Sequence, residues 1–294
     1  MIQRYFPLLA SLLLAAPALA QQKPLSQRTA DHACACIGTQ VPTDTVLARL
    51  DKCLPQALAS VTADGWATDS KAISTVEGMT STLRQSRELL IASCPPVRNA
   101  LVARKTEEQY QLSAVPAARQ AYEQGATLLK QKQYAQALPL FLQAAKQDPK
   151  FVMALDNAAI CYRQTKDLKK AAASYTKSLA VFPEGHLALL NMAVVQSLLE
   201  KPAEARRYYE QLRFVAPYNP EGYFGAGRLA LLQQDFPQAM ANLFAAHRLY
   251  VDQESPYLDD SSSMVSLLYK AMKEKGQLDQ FRATAKEFNL TINE

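Results

Sequence analysis

Thiol chemistry in this chain must come from five cysteines, and only three histidines are present to support metal or acid–base chemistry. Cys34, Cys36, Cys53 and Cys94 fall in the first third, and Cys161 stands alone downstream. The run His32-Ala33-Cys34-Ala35-Cys36, with Cys53 beyond it, offers one imidazole and three thiolates, a set that zinc accepts. The spacing argues against zinc, because paired zinc cysteines are usually separated by about two to four residues. Here a single residue intervenes, and on a helix the two thiols then point to roughly opposite sides. In an oxidising compartment the better reading is two disulfides among Cys34, Cys36, Cys53 and Cys94, with Cys161 left over. Cys34 and Cys36 are not expected to bond to each other. One should reach Cys53 and the other Cys94. Cys34–Cys53 is the preferred pair, because Cys34 lies further back along its helix and is better level with Cys53.

Catalytic constellations are missing from the sequence. Thioredoxin-type exchange needs Cys-x-x-Cys at a helix start within a strand-rich fold, and the chain offers neither. Cys161 lies between Ile160 and Tyr162 with no histidine near it in sequence, which reads as a buried, inert thiol. His186 and His247 hold unrelated places. Gly-x-x-x-x-Gly-Lys, Gly-x-Ser-x-Gly and His-Glu-x-x-His do not occur. The expectation is therefore a non-enzyme with no catalytic residue, no metal and no cofactor. Charge adds no nucleic-acid signal. The 32 Lys and Arg against 27 Asp and Glu leave a net of +5, spread along the chain. Lys166, Lys169, Lys170 and the pair Arg206-Arg207 read as solvated faces.

Residues 1–20 have the layout of a secretory signal peptide: Arg4, an apolar stretch from Phe6 to Ala16, and the cleavage pattern Ala18-Leu19-Ala20. The mature chain is expected to start at Gln21 and to reside in the bacterial periplasm or outside the cell. The apolar run falls short of the about 20 residues a membrane span needs. No other segment is apolar enough to span after cleavage.

The elements that position these residues follow a fixed period. Pro149, Pro183 and Pro217 recur every 34 residues. So do Ala137, Ala171, Ala205 and Ala239; Gly125, Ala159, Ala193 and Gly227; and the large residues Phe141, Tyr175, Tyr209 and Leu243. On these positions the segment resembles the tetratricopeptide repeat family, with frames 118–151, 152–185, 186–219 and 220–253. The second frame is the cleanest, with Leu155, Ala158, Ala159, Tyr162, Ala171, Tyr175, Ser178 and Pro183 at signature places. The resemblance implies an all-α fold: four stacked helical hairpins forming a right-handed α-α solenoid. Small residues would let paired helices approach, and large residues would fill the space between repeats. Pro139 is expected to fall inside the second helix of the first frame and could kink it. Residues 256–294 read as a capping helix pair with a turn at Lys275-Gly276-Gln277.

Residues 21–112 read as a helical, disulfide-stapled module outside the period. Helices are expected over 26–38, from a cap at Thr43 or Asp44 to about Thr62, from a cap at Asp69 to Cys94, and over 97–112. Trp66 falls in a loop. Ile73, Val76, Met79, Leu83, Ser86, Leu90 and Cys94 define an inward face by their spacing. No Gly/Ser linker separates the module from the repeats, so the two should pack together.

The resemblance also implies a function: binding of a protein or peptide along the concave face lined by the first helix of each pair. An assembly-adaptor role in an envelope complex is the alternative. Carried over place by place, the groove residues are Tyr122 in the first repeat, and Met153, Asp156, Asn157, Ile160 and Arg163 in the second. Leu187, Leu190, Asn191 and Val194 follow in the third, then Phe224 and Arg228 in the fourth. Asn157 and Asn191 hold the place where the family often offers an amide to a ligand backbone. The cationic clamp that some members use for a C-terminal carboxylate is replaced here by Tyr122, Leu187 and Asn191. The implied ligand is an extended or helical segment of mixed character rather than an acidic tail.

Overall fold

The structure, a computed structural model, describes residues 23–39, 41–65 and 69–290. The expected signal peptide, its expected cleavage site and Trp66 lie outside the described residues. The described residues form fourteen helices and no strand. The N-terminal module contains α1 (Leu25–Ile37), α2 (Thr43–Asp64), α3 (Val76–Ser93) and α4 (Pro95–Gln109). The repeats follow as α5 (Pro116–Lys130) with α6 (Tyr134–Gln147), and α7 (Val152–Gln164) with α8 (Leu168–Val181). The third and fourth pairs are α9 (His186–Leu198) with α10 (Pro202–Val215), and α11 (Pro220–Leu232) with α12 (Phe236–Asp252). The chain closes with α13 (Leu258–Glu274) and α14 (Leu278–Glu287). No described helix is long and apolar enough to cross a membrane.

The periodic residues do what their sizes require. A Cβ added to Gly125 would stand 3.0–3.2 Å from the Phe141 ring, so α5 and α6 approach as closely as the glycine permits. Ala137, Ala159, Ala171, Ala193, Ala205 and Ala239 are fully buried. Pro139 is accommodated inside α6, which continues to Gln147. The turn within each pair carries a second period of 34 that is written in the backbone. Lys132, Lys166, Glu200 and Gln234 all adopt positive φ, between 56° and 65°. Each lets the next residue's N–H reach back to a carbonyl five residues earlier, as Asp167 does to Tyr162 at 2.8 Å and Asp235 to Ala230 at 2.9 Å. That satisfies otherwise orphaned carbonyls at the end of the first helix.

Several expectations for the N-terminal module are corrected. The disulfides pair Cys34 with Cys94 and Cys36 with Cys53, the reverse of the preferred scheme, with Cα–Cα distances of 5.7 and 5.8 Å. Direction around α1 decides the pairing, not level along it: α1 lies between α2 and α3, so one thiol faces each neighbour. The two cysteines do point to different sides, and all four thiols of the module are consumed. Pro42 rather than Thr43 or Asp44 occupies the cap of α2, without a side-chain cap bond. Thr75, not Asp69, caps α3 by accepting the Gly78 N–H at 3.0 Å. Asp69 instead meets Arg28 at 2.6 Å and ties α1 to the segment after α2. The inward face of α3 is buried only from Thr82 onward; Val76 and Met79 are exposed. Pro95 and Pro96 open α4, where a missing N–H costs nothing.

Candidate peptide-binding groove

The expected groove residues lie on α5, α7, α9 and α11, the first helix of each pair, but the chain itself engages some of them. Tyr122 is nearly buried. Its ring packs on Phe141 and Phe151 with centroids 5.6 and 4.8 Å away, and its hydroxyl accepts Asn157 Nδ2 at 3.2 Å. It belongs to the core of the first repeat, packed with Ala137, Phe141 and Phe151. Asp156 is also buried, and its Oδ2 accepts the Tyr110 hydroxyl at 2.6 Å. Burial is the main influence on this carboxyl and raises its pKa; the nearby Ser178 and Tyr110 hydroxyls pull the other way. Asp156 Oδ1 has no hydrogen-bond partner among the described residues. Both residues are thus withdrawn from the set free to meet a ligand.

Tyr110 belongs to a larger contact that sequence reasoning missed. Helix α4 and the segment after it run along the edge of the solenoid, crossing the repeat junctions in reverse order. Arg98 donates Nε to the Phe214 carbonyl and stacks its guanidinium 4.0 Å from the Phe214 ring. Its Nη1 also donates to the carbonyls of Ile91 and Ala92, at 3.0 and 2.7 Å. One guanidinium therefore joins the C-terminal ends of α3 and α10. Val102 packs with Leu189, Leu212 and Val215. Further along, Lys105 pairs with Glu184, and the Tyr110 ring meets Phe182 edge-on at 6.2 Å. Finally the Ser113 hydroxyl donates to Asp148. No local period encodes this brace, since each contact joins residues about 35 to 116 positions apart. The expectation that module and repeats pack together is met in this form.

The remaining groove residues stay accessible. Met153, Asn157, Ile160 and Arg163 are half-buried in the second repeat. In the third, Leu187 is 46% exposed, and Leu190, Asn191 and Val194 are half-buried beside it. Asn191 donates Nδ2 to its own helix at the Leu187 carbonyl, 2.9 Å, which leaves its side-chain carbonyl as an acceptor. Phe224 is half-buried, and the exposed Arg228 lies 6.0 Å from its ring. This strip offers apolar contact, an amide acceptor and one cation, and the described part of the chain forms no three-residue cluster of His, Cys, Asp or Glu able to hold a metal. Cys161 is a free, buried thiol pushed up to about 11 by burial. His186 and His247 lie on different repeats, and burial lowers the pKa of each.

A tetratricopeptide repeat family model matches residues 122–186 and 199–257, overlapping all four frames set by the 34-residue period. The central array is a tetratricopeptide-repeat solenoid. Comparison with curated protein sequences gives no match. Among solved structures, the tetratricopeptide-repeat array is similar to MamA from Desulfovibrio magneticus RS-1, with 15% identity over 60% of this chain and 95% of that one and a TM-score of 0.49. It is also similar to YrrB, described as a TPR protein with an unusual peptide-binding site, at 17% identity over 64% and 91% and a TM-score of 0.46. Pseudomonas aeruginosa PilF matches at 22% identity over 68% and 92%, with a TM-score of 0.42. The period and the family model carry the assignment, and they indicate no catalytic family.

Proposed function

We propose that this chain is an exported, non-catalytic tetratricopeptide-repeat scaffold that binds a protein or peptide segment along α9 and α11. The observation that carries the reading is the open strip of Leu187, Leu190, Asn191, Val194, Phe224 and Arg228, beside a second repeat partly engaged by Tyr110. Apolar side chains would supply most of the contact, and Asn191 would fix a ligand backbone through its free carbonyl oxygen. The signal-like first twenty residues and the two disulfides support a location in the periplasm or outside the cell. An adaptor role in an envelope assembly would use the same strip. The thiol or zinc enzyme alternative is left with only the buried Cys161.

The test is selection of peptide ligands on the mature chain from a displayed library. Binding of the selected peptide is then measured to Asn191→Ala and Phe224→Ala. Affinity should fall severalfold in each without much change in melting temperature. Unchanged affinity in both would place the site elsewhere. Cell fractionation and N-terminal sequencing test export; a chain that retains Arg4 in the cytoplasm would refute it.

A further inference from the structure

The C-terminal cap leaves the regular repeat frame. The residues one, two and three periods before Phe244 are Glu210, Thr176 and Leu142, and all three are exposed on the second helix of their pair. Phe244 is fully buried, because α14 lies over α12 as well as α13. The rings that meet there pack edge-on: Phe244 with Phe281 at 5.1 Å, and Tyr269 with Phe281 at 5.4 Å. Edge-on rings between three helices do not fill the space, and a pocket of about 470 Å3 remains. Its floor is apolar, formed by Phe244, Val265, Phe281 and Ala285.

The rim is polar, and among the described residues its only charged side chain is a cation, with no carboxylate lining the pocket. Lys270 stands at the rim and makes no ion pair among the described residues. His247 is held by Nδ1 against the buried Ser261 hydroxyl at 2.8 Å. The roles in that bond follow the ring tautomer: where the Ser261 hydroxyl donates to Nδ1, the ring proton sits on Nε2. Ser262 and Ser266 spend their hydroxyl protons on their own helix, at the Leu258 and Ser262 carbonyls. The donors left for a ligand are the Lys270 ammonium, the Tyr269 hydroxyl and, in that tautomer, the His247 Nε2–H.

We propose that this pocket binds a small amphiphilic carboxylate, with its apolar body on the ring-lined floor and its anionic end at Lys270 and His247. The volume is within the range of about 300–1,000 Å3 typical of small-ligand sites. An ammonium with no ion-pair partner among the described residues, lining the same pocket as neutral hydroxyl and imidazole groups, favours a carboxylate over a neutral head group. The site is separate from the groove and does not depend on the groove's function.

The experiment is calorimetric titration of the full mature chain with decanoate and with decanol, both below micelle-forming concentrations. Decanoate should bind with one-to-one stoichiometry and decanol at least tenfold more weakly. Lys270→Gln should bring decanoate to the level of decanol. Ser266→Trp, at an exposed rim position, should abolish binding while circular dichroism and melting show an intact fold. Val194→Glu, in the groove, should leave decanoate binding unchanged. Absence of decanoate binding to the folded chain, indifference to Lys270→Gln, or binding undiminished by Ser266→Trp would each overturn the proposal.

Discussion

The hydroxyl of Tyr110, just beyond the end of α4, donates to Asp156 Oδ2 at 2.6 Å across a join between the N-terminal module and the second repeat. Asp156 holds one of the places expected to line the proposed groove, and the module's Tyr110 occupies it instead. Burial, the Asp156 charge and the hydrogen bond itself all raise the phenol's pKa, which keeps Tyr110 a donor across the working pH range. Among the described residues the carboxylate has no cation within ion-pair distance to offset its own burial.

This arrangement gives the fold a pH dependence with a definite sign. Asp156 has a folded pKa above its ordinary 3.8, so the folded chain holds this proton more tightly than the unfolded chain. Its contribution to stability is complete below the unfolded pKa and is lost as pH rises through the folded value. At neutral pH the charge therefore opposes folding. Asp156→Asn keeps an acceptor for Tyr110 and removes the charge. It should raise the melting temperature at pH 7 by roughly 2 °C and shrink the difference between mildly acidic and neutral pH. A variant that melts lower at pH 7 but equally at acidic pH would show that the charge is compensated.

Arg98 holds the opposite end of the brace. Its guanidinium is the shared hydrogen-bond partner of three carbonyls at the ends of α3 and α10, and it covers the Phe214 ring. Arg98→Ala would strand those carbonyls where little water reaches them, at a cost of about 2–4 kcal/mol by urea denaturation. Arg98→Lys should recover less than half of that loss, because one ammonium cannot span both helix ends in a plane. Cleavage by a protease between α4 and α5 should speed up in both variants. Full rescue by lysine would mean that charge alone, not fork geometry, makes the join.

The solenoid was readable from sequence because each repeat is encoded locally. Ala171 faces Ala159 within one hairpin, and the next hairpin copies the pair 34 residues on. The brace was not readable, because Arg98, Lys105, Tyr110 and Ser113 meet partners far away with no repeated spacing to announce them. The same reason defeats the disulfide pairing. The separation of Cys34 and Cys36 by one residue excludes a bond between them, yet which one faces Cys94 depends on how α1 packs between α2 and α3. Tyr122 and Asp156 were misplaced for a related reason: transfer by place assumes a groove empty of the chain's own residues. The left-handed turn residues were hidden as well: Lys132, Lys166, Glu200 and Gln234 share the period, but their backbone leaves no mark in residue type, since none is glycine.

Those four residues make a further prediction. A non-glycine residue in the left-handed region carries about 1–2 kcal/mol of strain, and glycine relieves it at an entropic cost of about 0.5–1 kcal/mol. Lys132→Gly and Gln234→Gly should each stabilise the fold by up to about 1 kcal/mol, additively, because three repeats' worth of chain separates them. Thermal melts of the single and double variants measure this. A loss of stability in both would show that the lysine and glutamine side chains contribute more than their backbone strain costs.

Gly225 explains why the amide row in the groove stops. Asn157 and Asn191 hold the sixth place of the second and third repeats, and Gly225 holds it in the fourth. A Cβ at Gly225 would stand 2.2 Å from Tyr209 Cε1 and 2.3 Å from Cζ, so the ring from the third repeat occupies the space that a side chain needs. Tyr209 is itself nearly buried and cannot swing away without opening the joint between the two repeats. Gly225→Ala should therefore destabilise by about 1–3 kcal/mol, the usual range for overpacking. Helix propensity alone predicts the opposite sign, a gain of about 1 kcal/mol for alanine over glycine. Repeating the substitution in a Tyr209→Leu background separates the two effects: with the ring gone, the propensity gain should dominate and Gly225→Ala should become neutral or stabilising. An equal loss in both backgrounds would mean that Gly225 is required for its backbone, not for the room it gives Tyr209.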